Sequence, residues 1–323
     1  MRHCSILRYA AAMLIAFSGT AFAADGYPAK PIRMIVPFAA GGGADIVGRL
    51  IAQKVSEEWG EQIIVENRAG AAANIGAALV AKSEPDGYTL LFTGPNHSTN
   101  VSLYDNLIYD PVRDFAPVAL LTSAPYILVS NPEFPARSVS DLIKLARAQP
   151  GKIAYGSAGN GTAGHLAMEL LKSTAGIDMI HVPYKGSAPM LNDLIGGRIS
   201  VAFDNILSSS QFIKAGSLRA IATSGASRAP SMPDTPTVAQ SGLPGFDVTV
   251  WQGLLAPAGT PPEIVALLNK KFVAALHAPE VTARLAAMNI ELTGSTPGQF
   301  AEFLRADIAK WATVIKESGA RPD

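Results

Sequence analysis

The sequence predicts an α/β protein of two lobes, each a mixed, mostly parallel sheet flanked by helices. Three observations carry this. An apolar strand at Ile32–Val36 runs into a glycine turn and a helical repeat, and two further strand signals follow, giving βαβαβ over 32–93. The same strand, glycine loop and helix pattern returns at 152–174. Finally, 248–256 reads as a strand crossing back, after which only helical segments remain, so the first lobe is discontinuous and two connections form a hinge. The expected division is 24–123 with 248–323 as one lobe and 124–247 as the other.

Each element has a local reason. Ile46, Val47, Leu50, Ile51, Val55 and Trp59 repeat at helical spacing, placing Gly41, Gly42 and Gly43 at the turn from strand to helix. Residues 62–66 form a second strand and 74–82 a helix. Pro85, Asp86 and Gly87 then turn the chain into a third strand at 88–93. Residues 94–100 are expected as a loop on the same sheet edge as the first glycines. The apolar run 118–129 is broken at 122–125, where the chain is expected to change lobes. Ser138 and Asp141 give a capping-box-like helix start. Strands follow at 152–155, 179–182, 198–203 and 218–223, with helices at 163–174 and up to Ile195. Helices at 261–276, 279–288 and 297–317 each open on proline.

Composition narrows the setting. Arg2 and Arg8 precede an apolar run at 9–17, and Ala21-Phe-Ala23 supplies small residues for cleavage after Ala23, so 1–23 reads as a signal peptide. That run is shorter than the ~20 residues of a membrane span. The one cysteine, Cys4, lies inside the leader, so no disulfide is available to the mature chain. A soluble periplasmic protein, expected as a monomer, is the economical reading. Removing Arg2 and Arg8 from the 26 basic residues leaves 24 against 26 acidic ones, which speaks against a nucleic-acid partner.

Several segments then point to one family. Pro37-Phe-Ala-Ala-Gly-Gly-Gly-Ala-Asp45, Asn67-Arg-Ala-Gly70, Tyr155-Gly-Ser-Ala-Gly-Asn-Gly-Thr162 with His165, and His181-Val-Pro-Tyr-Lys-Gly-Ser-Ala-Pro189 resemble the Bug family, the substrate-binding proteins of tripartite tricarboxylate transporters. The likeness extends over essentially all of 27–323. It implies a two-lobed periplasmic-binding-protein fold (type II-like) that captures a small carboxylate: a dicarboxylate, hydroxy acid, amino acid or aromatic acid. It also implies membrane permease subunits as partners, no cofactor and no catalysis.

Candidate ligand contacts follow from both readings. Glycine at 41–43 lets a ligand approach a helix N-terminus whose N–H groups suit an anion. The resemblance implies that Phe38, Ala40, Gly41, Gly42, Gly43, Ala44 and Asp45 form this carboxylate loop, with bridging water. Ser157, Gly161 and Thr162 belong to the opposing loop, where the hydroxyls either meet the ligand or cap the next helix. Asp45 is either a ligand contact or an acid favoured by the helix start. Asp204, at a strand end, poses the same choice, and His165 either points into the cleft or makes a structural hydrogen bond within its lobe. Asn96 and Ser98 are candidate polar contacts, and Lys185 either pairs with a distal carboxylate or is solvated. Trp251 is expected as hinge packing and His181 as core or surface.

Other classes fit less well. The third glycine of a dinucleotide fingerprint is replaced by Ile46. A secreted serine hydrolase would use Ser157 in a nucleophile elbow, but Tyr155 stands where that motif needs glycine. Metal chemistry has only His97, His165, His181 and His277 in the mature chain, with no close pair. A ligand-sensing partner of a membrane histidine kinase would use the same cleft, so the chain itself leaves that alternative open.

Overall fold

The structure, a computed structural model, describes residues 26–321; the expected leader lies outside the described residues. In chain order the elements are β1 (Ile32–Val36), α1 (Gly43–Trp59), β2 (Ile63–Asn67), α2 (Asn74–Ala81), β3 (Thr89–Thr93), α3 (Asn96–Leu103) and β4 (Phe115–Ser130). Then come α4 (Val139–Ala148), β5 (Ala154–Ser157), α5 (Ala163–Ala175), β6 (Ile180–Pro183), α6 (Ser187–Ile195), β7 (Val201–Asn205), α7 (Ile206–Lys214) and β8 (Arg219–Thr223). The chain ends with β9 (Thr249–Pro257), α8 (Pro262–Leu276), α9 (Pro279–Ala287), β10 (Glu291–Leu292) and α10 (Pro297–Ser318).

The strands run β2-β1-β3-β9-β4-β7-β5-β6 through one curled sheet, with β8 and β10 pairing β4 off this path. Pairing is parallel for β1 with β2 and β3, and for β5 with β6 and β7. β9 is antiparallel to both β3 and β4. This is the expected two-lobed fold, with β4 and β9 as the crossing strands. β4 pairs β9 from Phe115 to Pro125, then pairs β7 and β8 from Tyr126 onward. The expected break at 122–125 is instead continuous strand. Pro125 sits where the partner changes, at the end of the β9 pairing, a place where a missing N–H is tolerated.

Apolar spacing explains the cores. Val47, Ile51 and Val55 of α1 bury against Ile32, Met34 and Phe92, and α8 closes the same layer through Leu268 and Phe272. In the second lobe Leu142, Leu166, Leu171 and Phe203 form the centre. α10 departs from the expected assignment of all of 248–323 to the first lobe. Phe300 and Leu304 lie in the first lobe's core, whereas Trp311, Val314 and Ile315 pack in the second lobe's core. A capping box at Thr296 and Gln299 starts this helix. Its middle is tied to the hinge, because Trp251 Nε1 donates to Asp307 Oδ2 at 3.0 Å.

Candidate functional site

Between the lobes lies a cavity of ≈ 830 Å³. Four helices begin on its wall: α1 at Gly42, Gly43 and Ala44, α3 at Pro95 and Asn96, α5 at Thr162 and Ala163, and α7 at Asn205, Ile206 and Leu207. Two belong to each lobe. The helix dipole places partial positive charge at each start, and the first N–H groups lack regular helical partners, although His97 and Ser98 of α3 donate to the Gly94 and Pro95 carbonyls and His165 of α5 donates to Thr162 Oγ1. Among the described residues lining the cavity, none is Lys, Arg, His, Asp or Glu. Apolar side chains fill much of the remainder, including Phe38, Ile46, Leu103, Tyr126 and Leu207. Ile46 and Leu207, one from each lobe, are 47% and 56% exposed. Such a wall suits an anion held by neutral, preoriented donors beside apolar surface.

Asp45 fixes the first loop. It is buried, and its Oδ2 accepts from the Gly41 N–H at 2.8 Å. Arg49 Nε donates to Oδ1 at 2.9 Å and Asn67 Nδ2 at 2.8 Å. Asn67 Nδ2 also donates to the Phe38 carbonyl at 3.1 Å. Burial disfavours the charged carboxylate, but the hydrogen bonds from Arg49, Gly41 and Asn67 outweigh it and hold the pKa below the usual carboxylate value. Asp45 therefore braces the turn from behind, and with Ala40 and Gly41 it does not line the cavity. Phe38, Gly42, Gly43 and Ala44 do.

The opposing loop is built similarly. Thr162 caps α5, its Oγ1 accepting from the His165 N–H at 3.4 Å and donating to the Gly159 carbonyl at 2.8 Å. Gly159 and Gly161 take φ 143 and 69, conformations that glycine adopts without strain. Gly161 and Thr162 line the cavity, as does Asn160 between their neighbours. Ser157 and His165 lie behind them. Ser157 is fully buried, with its Oγ 2.6 Å from His181 Nε2. His165 Nδ1 accepts from the Gly161 N–H at 3.1 Å, and its ring stacks on His181 at 3.9 Å between centroids. Burial, and then the neighbouring His165, pushes His181 down to about 4. Glu169, which would complete a Ser–His–acid reading, accepts instead from the Tyr155 hydroxyl and from Lys172 Nζ.

The other candidates divide. Asn96 lines the cavity at the start of α3, a helix where a loop was expected. Ser98, two residues on and so on the opposite side of the helix, is fully buried and away from the wall. Asp204 is buried behind Asn205, accepting from the Ser187 and Ser209 hydroxyls at 2.6 and 2.9 Å. Burial pushes its pKa up against those hydrogen bonds. Lys185 is exposed outside the cavity. Trp251 packs edge-on to Phe300 and Phe303, as hinge packing requires, and also lines the cleft. Sequence reasoning missed the α7 start, although Asn205 at a strand end is a favourable N-cap signal. It also missed Ala72, Asn100 and Asn289, which no local motif marks.

The fold and this interlobe cleft define a two-lobed solute-binding protein. The family model of the tripartite tricarboxylate transporter family receptor matches residues 47–320, and the chain belongs to that family. Protein BugT of Bordetella pertussis is 36% identical over 313 residues, covering 96% of each chain. Among solved structures, R. palustris Rpa4515 with adipate is 39% identical at a TM-score of 0.76, covering 92% of this chain and all of that one. MatC from Rhodopseudomonas palustris, with bound malate, is 33% identical at 0.72, covering 90% of this chain and 100% of its own. A TctC solute-binding protein from Polaromonas reaches a TM-score of 0.81 at 27% identity, covering 90% and 99%. Within the described residues no helix is long and apolar enough to cross a membrane.

Proposed function

We propose that this protein captures a small organic carboxylate in the interlobe cleft and delivers it, unchanged, to the membrane subunits of a tripartite transporter. The convergence of four helix N-termini on a cavity lined by uncharged side chains carries the reading. Two donors' worth of helix starts on each lobe favour a ligand with two acidic ends, one per lobe, because each end then gains by closure. Adipate and malate in two relatives are of this kind. The chain acts in the periplasm as a monomer, after removal of 1–23.

Gly42, Gly43, Ala44, Asn96, Gly161 and Thr162 are the ligand contacts on this reading, with Asn205 added from α7. Asp45, Ser157, His165 and Asp204 shape the loops that present those groups. Binding without turnover is supported by Ser157, whose hydroxyl is sealed from any substrate by full burial. The test is a thermal-shift screen of the mature protein against dicarboxylates, hydroxy acids, amino acids and aromatic acids, followed by calorimetry on any acid that stabilises it. One acid bound per chain is the expected result. A folded protein that none of them stabilises refutes the proposal.

A further inference from the structure

Gly70 has φ 129, and the three residues after it are also left-handed: Ala71 at φ 46, Ala72 at 50 and Ala73 at 80. A side-chain-bearing L-residue disfavours this region, by a factor of roughly ten per residue. Every other left-handed position among the described residues is glycine, except Asn289 at φ 59. Ala72 and Asn289 both line the interlobe cleft. Asparagine tolerates the left-handed region, so backbone strain outside glycine is concentrated in Ala71–Ala73, beside this cleft, and strain persists only where surrounding structure enforces it.

The enforcing group is Asn100. It is fully buried on α3, and its Nδ2 donates to the Ala72 carbonyl at 2.7 Å and to Asn74 Oδ1 at 2.8 Å. The Tyr109 hydroxyl donates to the same Asn74 oxygen at 2.8 Å. Because the Ala72 carbonyl can only accept, the orientation of the Asn100 amide is fixed. Asn100 belongs to the cleft wall but has no exposed surface, so its side chain grips the turn from behind the face that Ala72 presents.

We infer that the Ala71–Ala73 turn is a positioning element for the ligand, held left-handed by Asn100 so that Ala72 forms a rigid part of the cleft wall. This rests on the cleft being the carboxylate site. Rigidity is what alanine adds here. Glycine would fit the backbone with less strain, but it would have to be ordered again at each binding event.

The experiment uses the mature chain with adipate and malate as probes. Ala72→Gly is expected to raise the melting midpoint by about 2–4 °C through relief of strain. Affinity for whichever probe the wild type binds is expected to fall about two- to fivefold, the cost of reordering a glycine. A purely structural turn would gain stability with no change in affinity, so the opposite signs are diagnostic. Asn100→Asp places an oxygen against the Ala72 carbonyl and is expected to lower both midpoint and affinity. Adding Ala72→Gly to it is expected to recover the midpoint without the affinity. Wild type that binds a probe while Ala72→Gly binds it equally well overturns the role of the turn alone. Where wild type binds neither, the comparison is made with the panel acid that stabilises it, and a wild type that no panel acid stabilises removes the cleft reading, and the turn's role with it.

Discussion

Asp45 offers the most direct test of how the first loop is held. Replacing it with alanine removes the acceptor for the Gly41 N–H, Arg49 Nε and Asn67 Nδ2. A hydrogen bond to a charged group contributes about 1.5–3 kcal/mol, but Arg49 is half exposed and water replaces part of its loss. A total near 3 kcal/mol follows, since the contributions do not add fully. At about 2–4 °C per kcal/mol this lowers the melting midpoint by about 6–12 °C. Carboxylate affinity should fall about tenfold or more, because the loop no longer presents Gly43 and Ala44 in one arrangement. Differential scanning calorimetry and isothermal titration on wild type, Asp45→Ala and Asp45→Asn measure both. The pH dependence adds a sign. A carboxyl whose folded pKa lies below its unfolded value contributes stability above the unfolded pKa, and this is lost as pH falls through the folded one. Asp45→Asn should therefore flatten the stability curve below about pH 4. Unchanged midpoint and affinity in Asp45→Ala would show that the loop is held by something other than this carboxylate.

A bulky side chain at Gly42, as in Gly42→Trp, should abolish carboxylate binding while circular dichroism stays that of the wild type, since the residue caps α1 on the cavity wall. Gly253→Ala should destabilise by about 1–3 kcal/mol in denaturant titrations, because an added Cβ would stand 2.2 Å from the Phe300 ring. His181 must charge against burial, so wild-type stability should decline from about pH 6.5 towards 4, and His181→Gln should shallow that decline in a pH series of melts.

The strand and helix pairs flanking the glycine turns were legible because strong apolar periodicity meets an obvious chain reversal there. α3 was not, since Asn96–Leu103 buries the consecutive polar residues His97, Ser98, Thr99 and Asn100 around its whole circumference. A helix buried through polar residues on every side has no apolar stripe to read. α7 follows β7 without a connecting residue, so no turn signal separates them. Of the candidate site, the glycine loops were visible as backbone that must approach a ligand. Asp45, His165, Asp204 and Ser157 could not be assigned locally, because a loop brace and a ligand contact use the same residue types at the same positions. Ala72 and Asn100 meet only through tertiary contact, 28 residues apart.

The last helix has a mechanical consequence. With Phe300 seated in one half of the molecule and Trp311 and Ile315 seated in the other, it works as a splint beside the two crossing strands. Any hinge motion would have to bend or slide this single rod, and a shorn carboxyl end would be equivalent to a hole in the far core.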